Sequence, residues 1–293
     1  MLECVPNVSE GRDPRIIAAL ERAVVAAGAD LVDVHRDPDH HRSVLTLLGE
    51  PEAVERAALD VARTAVGLID LRTHTGVHPR LGALDVLPFV PLAGSSMPDA
   101  VAVAHRVGRA IAAELDLPVF FYEAAALRPQ CRALPAIRAG GFEALPERLA
   151  DPMWCPDVGP ARPHPTAGAT VVGARGVLIA FNAVLTTANV LVARAIARAI
   201  RESSGGLPAV RAIGVDLVTR ASAQVAMNLV DYRRTPVAEV VARLDREAQR
   251  AGVAVRELEL VGCAPADAIP DTVRPRIRGL RATQLLAPGL FRA

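Results

Sequence analysis

Leu31-Val32-Asp33-Val34-His35-Arg36-Asp37-Pro38-Asp39-His40-His41-Arg42-Ser43-Val44-Leu45-Thr46-Leu47-Leu48 is the stretch whose reading decides the fold. Apolar residues flank a charged middle, so Leu31 to His35 and Ser43 to Leu48 read as two strands joined by the polar turn Arg36 to His41. Upstream, Leu2 to Val8 predicts a strand. Asp13-Pro14 then opens a helix whose apolar positions Ile17, Leu20 and Val24 recur at helical spacing until Gly28. Downstream, Pro51 opens a second helix with Val54, Ala58, Val61 and Ala65 on one face, and Ala83 to Val90 supplies a further strand. The order is βαββαβ. That is the split βαβ, or ferredoxin-like, arrangement of an α+β protein, with both helices on one face of an antiparallel sheet.

Further on, Ser96 with Asp99 predicts a helix start running to Leu115, and Val119 to Tyr122 predicts another strand. Five prolines then fall between Asp151 and Gly168. Such a stretch is neither a helix interior nor a central strand, so it is where the inter-domain connection is expected, with domains at 1–160 and 161–293. Beyond it a strand pair is expected across Ala169 to Leu185, then a helix from about Asn189 to Arg201. Strands at Val210 to Val218 and Gln224 to Val230 follow, with a helix opened by Thr235-Pro236 and a strand at Val255 to Val261. This is a second βαββαβ unit. Each sheet is expected to keep one face free of helices, and two such faces opposed to each other would form a ligand cleft.

Arginine and lysine together number 33 against 32 acidic residues, a net charge of +1, which gives no global field toward nucleic acid or an anionic membrane. Every basic charge is arginine, so a lysine Schiff base, a pyridoxal-lysine aldimine and a Walker lysine are all excluded. Cys4, Cys131, Cys155 and Cys263 form no CxxC pair and read as reduced thiols of a cytoplasmic protein. No signal peptide and no membrane-spanning run is visible. GxSxG, GxGxxG and HExxH are absent, which removes the main support for a serine hydrolase, a Rossmann dehydrogenase or a zincin.

Two polar clusters carry chemistry. In His35 to Arg42, the adjacent His40 and His41 point to opposite faces of a strand, so no metal site is assigned. In His74-Thr75-Gly76-Val77-His78-Pro79-Arg80, Gly76 and Pro79 argue for a loop, and a loop histidine is a fitting general acid-base because its ordinary pKa of ~6.5 lets it take and give a proton.

Longer strings carry a resemblance. Glu3-Cys4-Val5-Pro6-Asn7-Val8-Ser9-Glu10-Gly11-Arg12 resembles the opening motif of the glutamate formiminotransferase family. The likeness continues through His78-Pro79-Arg80-Leu81-Gly82-Ala83-Leu84-Asp85-Val86, Leu134 to Gly140, Gly173-Ala174-Arg175, Leu178 to Asn182, Ala223 to Val225 and Asn228-Leu229, spanning nearly the whole chain. The resemblance implies two subdomains with facing sheets bounding a folate tunnel, in a homodimer. It implies transfer of a formimino group from N-formimino-L-glutamate to N5 of tetrahydrofolate, a co-substrate, in one-carbon metabolism and histidine degradation. His78 then falls on the family's catalytic acid-base. Folate contact falls on Gly159 to Gly168, with Gly159, Pro160 and Gly168 the clearest matches, and Asn182, in a further family motif, is a further expected substrate or folate contact. In animals the domain is fused to a cyclodeaminase, for which 293 residues leave no room, so deamination is expected of a separate polypeptide. The chain departs from the family at His35, where an acid is usual, and at Glu123, which is displaced.

Attack of N5 on a cationic amidine carbon calls for a nearby carboxylate, for which Asp33 or Asp37 is nominated. Glutamate and the folate tail carry carboxylates, which bidentate guanidinium suits, making Arg42, Arg80 and Arg175 candidates. Formyl transfer between glutamate and tetrahydrofolate is an alternative, since one atom separates the donors, and a non-catalytic folate-binding protein is another.

Overall fold

Pro6 breaks the first predicted strand into β1 (Leu2–Cys4) and β2 (Asn7–Val8), because proline cannot donate to a ladder on both sides. The computed structural model describes residues 1–291, a mixed α/β chain in two units, Met1–Arg175 and a second that begins at Gly176. In the first unit α1 (Pro14–Ala26) is capped by Asp13, whose carboxylate accepts from the Arg15 amide, and buries Ile17, Leu20 and Val24. Then come β3 (Asp30–Asp37), β4 (Arg42–Gly49), α2 (Pro51–Leu68) and β5 (Leu84–Pro91). Helix α3 (Met97–Leu115) starts in the Ser96–Asp99 capping box, and β6 (Val119–Glu123) follows. Short helices α4 (Leu134–Ile137) and α5 (Leu145–Ala150) lead to β7 (Thr170–Ala174).

These strands make one seven-stranded sheet. Strand β3 pairs with β4, β4 with both β1 and β2, and these with β5, all antiparallel. On the other side β5, β7 and β6 run parallel, with β7 in the middle. The first unit therefore extends to Arg175 and the expected division at 160/161 does not coincide with it. The proline-rich segment does not leave the unit: it returns the chain to fill the place between β5 and β6. Likewise the strand pair expected across Ala169 to Leu185 is not a hairpin, since its two halves lie in different sheets.

Alternation along the strands assigns the faces. Val8, Leu45, Leu47, Leu87, Phe89, Phe121 and Val172 pack in one buried cluster with α1, α2 and α3. The opposite face is not uniformly free, as was expected. Over β5, β6 and β7, Val86, Phe120, Tyr122 and Val171 are covered by Ile137, Leu145 and Leu149 from α4 and α5. Over β1 to β4, the register places Glu3, Asn7, Asp33, Asp37, Arg42 and Thr46 on that face. The polar half of the sheet is where the chemistry-bearing residues gather.

The second unit contains β8 (Ile179–Leu185), α6 (Val190–Ile200), β9 (Val210–Leu217), β10 (Ser222–Leu229), α7 (Val237–Arg250) and β11 (Val255–Val261). Its sheet is antiparallel in the order β11-β8-β10-β9, with Phe181, Val225, Met227 and Leu258 packed on α6 and α7. On its other face Glu259 accepts from Gln224 Nε2 at 2.8 Å and from Arg220 Nη1 at 2.6 Å. Among the described residues no helix is long and apolar enough to cross a membrane.

Candidate active site

Against β2 the register of β5 slips, Val86 facing Asn7 and Leu84 facing Val8, so Asp85 is the extra residue of a bulge. Its side chain is fully buried. Oδ1 accepts from the Leu81 amide at 2.7 Å, and Oδ2 accepts from Arg42 Nη1 at 2.6 Å and from Arg138 Nη2. Burial pushes this carboxyl up, but Arg138 and Arg42 outweigh it and bring it to about 2. Burial lowers Arg42 to about 10 against the pull of Asp85, so it too stays charged at neutral pH. Asn7 completes the network, its Oδ1 accepting from Arg42 Nη2 at 2.9 Å while its amide donates to Val5 O at 2.7 Å. One carboxylate between two guanidiniums leaves one positive charge in excess, and the buried Arg138 Nε has no hydrogen-bond partner among the described residues.

His78 lies beside this excess charge. Residues 69–83 between α2 and β5 are irregular, as Gly76 and Pro79 predicted, and their shape is set by the turn at residues 37–42. A Cβ on Gly76 would meet His40 O at 2.5 Å and His41 Cβ at 2.8 Å, so only glycine lets the loop lie on the turn. The Val77 amide donates to Asp39 O at 3.2 Å. The His78 and His40 rings are 5.6 Å apart.

His78 Nδ1 donates to Pro79 O at 2.7 Å, which fixes the tautomer and leaves Nε2 with its lone pair. The residue is half-exposed, yet protein crowds its ring closely. That burial, then Arg42 and Arg138, hold its pKa well below the ordinary imidazole value. A neutral imidazole with a bare Nε2 is a proton acceptor, and once protonated beside two guanidiniums it is a strong proton donor.

Comparison with known proteins fits this arrangement. Residues 1–175 match the family pattern described as the N-terminal subdomain of the formiminotransferase domain, and residues 180–278 match the formiminotransferase domain. The chain is 42% identical over 272 residues to the glutamate formimidoyltransferase of Streptococcus pyogenes serotype M1, covering 92% of this chain and 91% of that one. The chain belongs to the formiminotransferase family. It is 39% identical to the glutamate formimidoyltransferase of Thermoplasma acidophilum, over 94% of this chain and 91% of that protein. It is 44% identical to the formimidoyltransferase-cyclodeaminase of Rattus norvegicus, of which it spans only 51%. Membership in this family makes it a folate-dependent transferase.

Within the formiminotransferase frame the other nominated residues scatter. Asp37 turns back on its own loop, Oδ1 accepting from the Asp39 and His40 amides at 2.8 Å each, so it holds the turn that supports the histidine loop. Asp33 is buried on β3 opposite Thr46, four residues and about 13 Å along the strand from Asp37. Arg80 grips Glu143 Oε1 at 2.7 Å and His74 O at 3.2 Å. Arg175 lies near Glu3, whose carboxyl burial pushes up to about 7 although the guanidinium opposes it. Gly168 adjoins the loop: its neighbours donate and accept in the bonds Ala83 N to Ala167 O and Ala169 N to Leu81 O. Gly159 is instead packed on Leu117 just past the end of α3, with half-buried Pro160 beyond it. Asn182 is in the second unit, in register with Ala226 and Glu259.

Asp85 and Arg138 were given no role in the sequence reading. The available signal was a charged residue inside the apolar run Ala83 to Val90, since a charge buried in a strand demands a partner.

Proposed function

We propose that this chain is a glutamate formimidoyltransferase that moves the formimino group of N-formimino-L-glutamate to N5 of tetrahydrofolate, with His78 as general acid-base. The observation that carries this reading is the His78 ring itself, pinned through Nδ1 to Pro79 O and held neutral by its surroundings with Nε2 bare. N5 attacks the amidine carbon, an N–C bond forms, and the C=N electron pair moves to the imino nitrogen. Nε2 takes the proton that N5 sheds. The imidazolium then delivers that proton to the glutamate nitrogen as its bond to carbon breaks, and the imino nitrogen's electron pair restores the C=N bond.

The surplus positive charge at Arg42 and Arg138 suits a carboxylate of the amino-acid donor. Asp33, buried on the polar face of the sheet opposite Thr46, is assigned to the cationic substrate, and Asp37 to the turn that supports the His78 loop. The segment Gly159 to Gly168 is assigned to folate, because its Gly168 end borders the His78 loop. The two units are read as ferredoxin-like subdomains, since each contains β-α-β-β-α-β with the fourth strand beside the first.

Purified protein incubated with N-formimino-L-glutamate and tetrahydrofolate tests the reading. Formation of 5-formiminotetrahydrofolate that depends on His78 is the expected result. Turnover of N-formylglutamate with no turnover of the formimino donor would replace it by formyl transfer, and tight folate binding with neither turnover would leave a binding protein.

A further inference from the structure

Glu10, His41 and His74 form a polar cluster beside the Asp85 network, and nothing in the proton transfers uses it. His41 Nδ1 lies 3.0 Å from Thr75 O, and its Nε2 lies 3.2 Å from Glu10 Oε1. A carbonyl and an ionised carboxylate accept and never donate, so both bonds exist together only when each ring nitrogen carries a proton. Glu10 is ionised: burial pushes it up, but bonds from the His41 ring and from the Arg12 and Asp13 amides bring it to about 2. Both side chains are nearly enclosed, exposed by 12% for His41 and 10% for Glu10, so this is no solvent-screened surface pair.

On the face of His41 the ring of His74 stacks at 4.0 Å with 6° between planes. Two cations would repel at that spacing, and His74 avoids it. Burial lowers its pKa to about 4, and its Nε2 donates to His41 O at 2.9 Å, leaving a buried Nδ1 without a proton. The stack therefore joins one charged and one neutral imidazole.

We infer that Glu10 and His41 are positioning residues: the ion pair clamps the Thr75 carbonyl and so fixes the loop on which His78 sits, and the clamp is complete only with doubly protonated His41. This rests on the reading of His78 as the proton-transfer group. The other groups that face His41 fit the assignment. Arg12, from the same segment as Glu10, donates to Pro38 O at 2.9 Å and Thr75 Oγ1 at 3.4 Å, reinforcing the contact between turn and loop. Arg80 donates to His74 O, while Asp37, Asp39 and His40 belong to the turn itself. The left-handed backbone of His41, φ 51°, aims its ring across to the loop.

The test compares wild type with Glu10→Gln and His41→Gln by hydrogen exchange of the amides at 74–80 and by steady-state kinetics. Glu10→Gln keeps the shape and an acceptor oxygen but removes the charge, so it carries the test if His41→Gln fails to fold. The expected result is loop exchange about tenfold faster or more with the rest of the unit unchanged, kcat lower by about 10- to 100-fold, and KM for both substrates within about threefold. Unchanged loop exchange in folded Glu10→Gln, or a loss carried by KM with kcat intact, overturns the clamp. The exchange readout needs no turnover, so a wild-type chain without transferase activity would defeat the functional reading while the clamp still stood or fell on its own measurement.

Discussion

Asp85 Oδ2 accepts from Arg42 Nη1 at 2.6 Å with both side chains withdrawn from solvent, which makes Arg42 a structural counter-ion more than a free arm for substrate. Asp85→Asn leaves two buried guanidiniums facing an amide. Breaking a buried pair from one side costs about 3–5 kcal/mol, so the variant should unfold at markedly lower urea, and an unchanged midpoint would mean that water reaches the pair freely.

His78→Ala should lower kcat by about 10²–10⁴-fold while folate still binds. Because burial and the flanking guanidiniums depress the wild-type ring, kcat/KM should stay level below pH 6.5 and fall only at more acid pH. A full acid limb already complete at neutral pH would contradict that placement. His74→Ala removes the neighbouring imidazole of the same loop together with its bond to His41 O, and should cost much less in kcat than His78→Ala.

Arg80→Lys and Arg175→Lys keep charge and lose the guanidinium fork. If these residues hold substrate carboxylates, each variant should weaken apparent affinity by about 1–3 kcal/mol in KM. Wild-type KM values in both would assign Arg80 to its ion pair with Glu143 and Arg175 to the Glu3 carboxyl.

Acid sensitivity follows from His74 and the carboxylates. His74 sits at about 4 in the fold and near 6.5 in the unfolded chain, so the unfolded state binds more protons between those values. Stability should therefore fall as pH drops from about 6.5 toward 4, and His74→Gln should flatten that slope in denaturant titrations at stepped pH. Glu10 and Asp85, both brought to about 2, add stability that is fully present above about 4.5 and is lost as pH falls toward 2.

Gly168 adopts φ +71°, and a Cβ there would lie 2.3 Å from Leu81 O. Gly168→Ala combines left-handed strain with a backbone clash and should cost about 2 kcal/mol or more, read as a drop in Tm. A neutral substitution would show that the segment yields without disturbing Leu81.

The helix starts at Asp13-Pro14 and Ser96 and the irregular loop around Gly76 were legible because caps and glycines act within a few residues. Pro6 was equally local, and its break in the first strand was there to be read. The place of β7 was not legible: Val171 and Val172 announce a strand, but nothing nearby tells it to lie between β5 and β6 instead of pairing with β8. The site shows the same split. His78 could be nominated from its loop, whereas Asp85 acquires its meaning from Arg42 and Arg138, which are 43 and 53 residues away. Asp37 illustrates the converse, a carboxylate in a chemically suggestive string whose nearest amides claim it.

The position of β7 also bears on how the chain is made. A ribosome releases β5 and β6 well before Thr170, and until then their facing edges have no strand between them, a slot about 10 Å wide lined with unsatisfied amides and carbonyls. The nascent first unit thus carries an open seam through α4, α5 and the proline-rich passage. Its last five-residue strand works as a keystone, and the period before it emerges is the interval in which this protein most needs protection from pairing with a stranger.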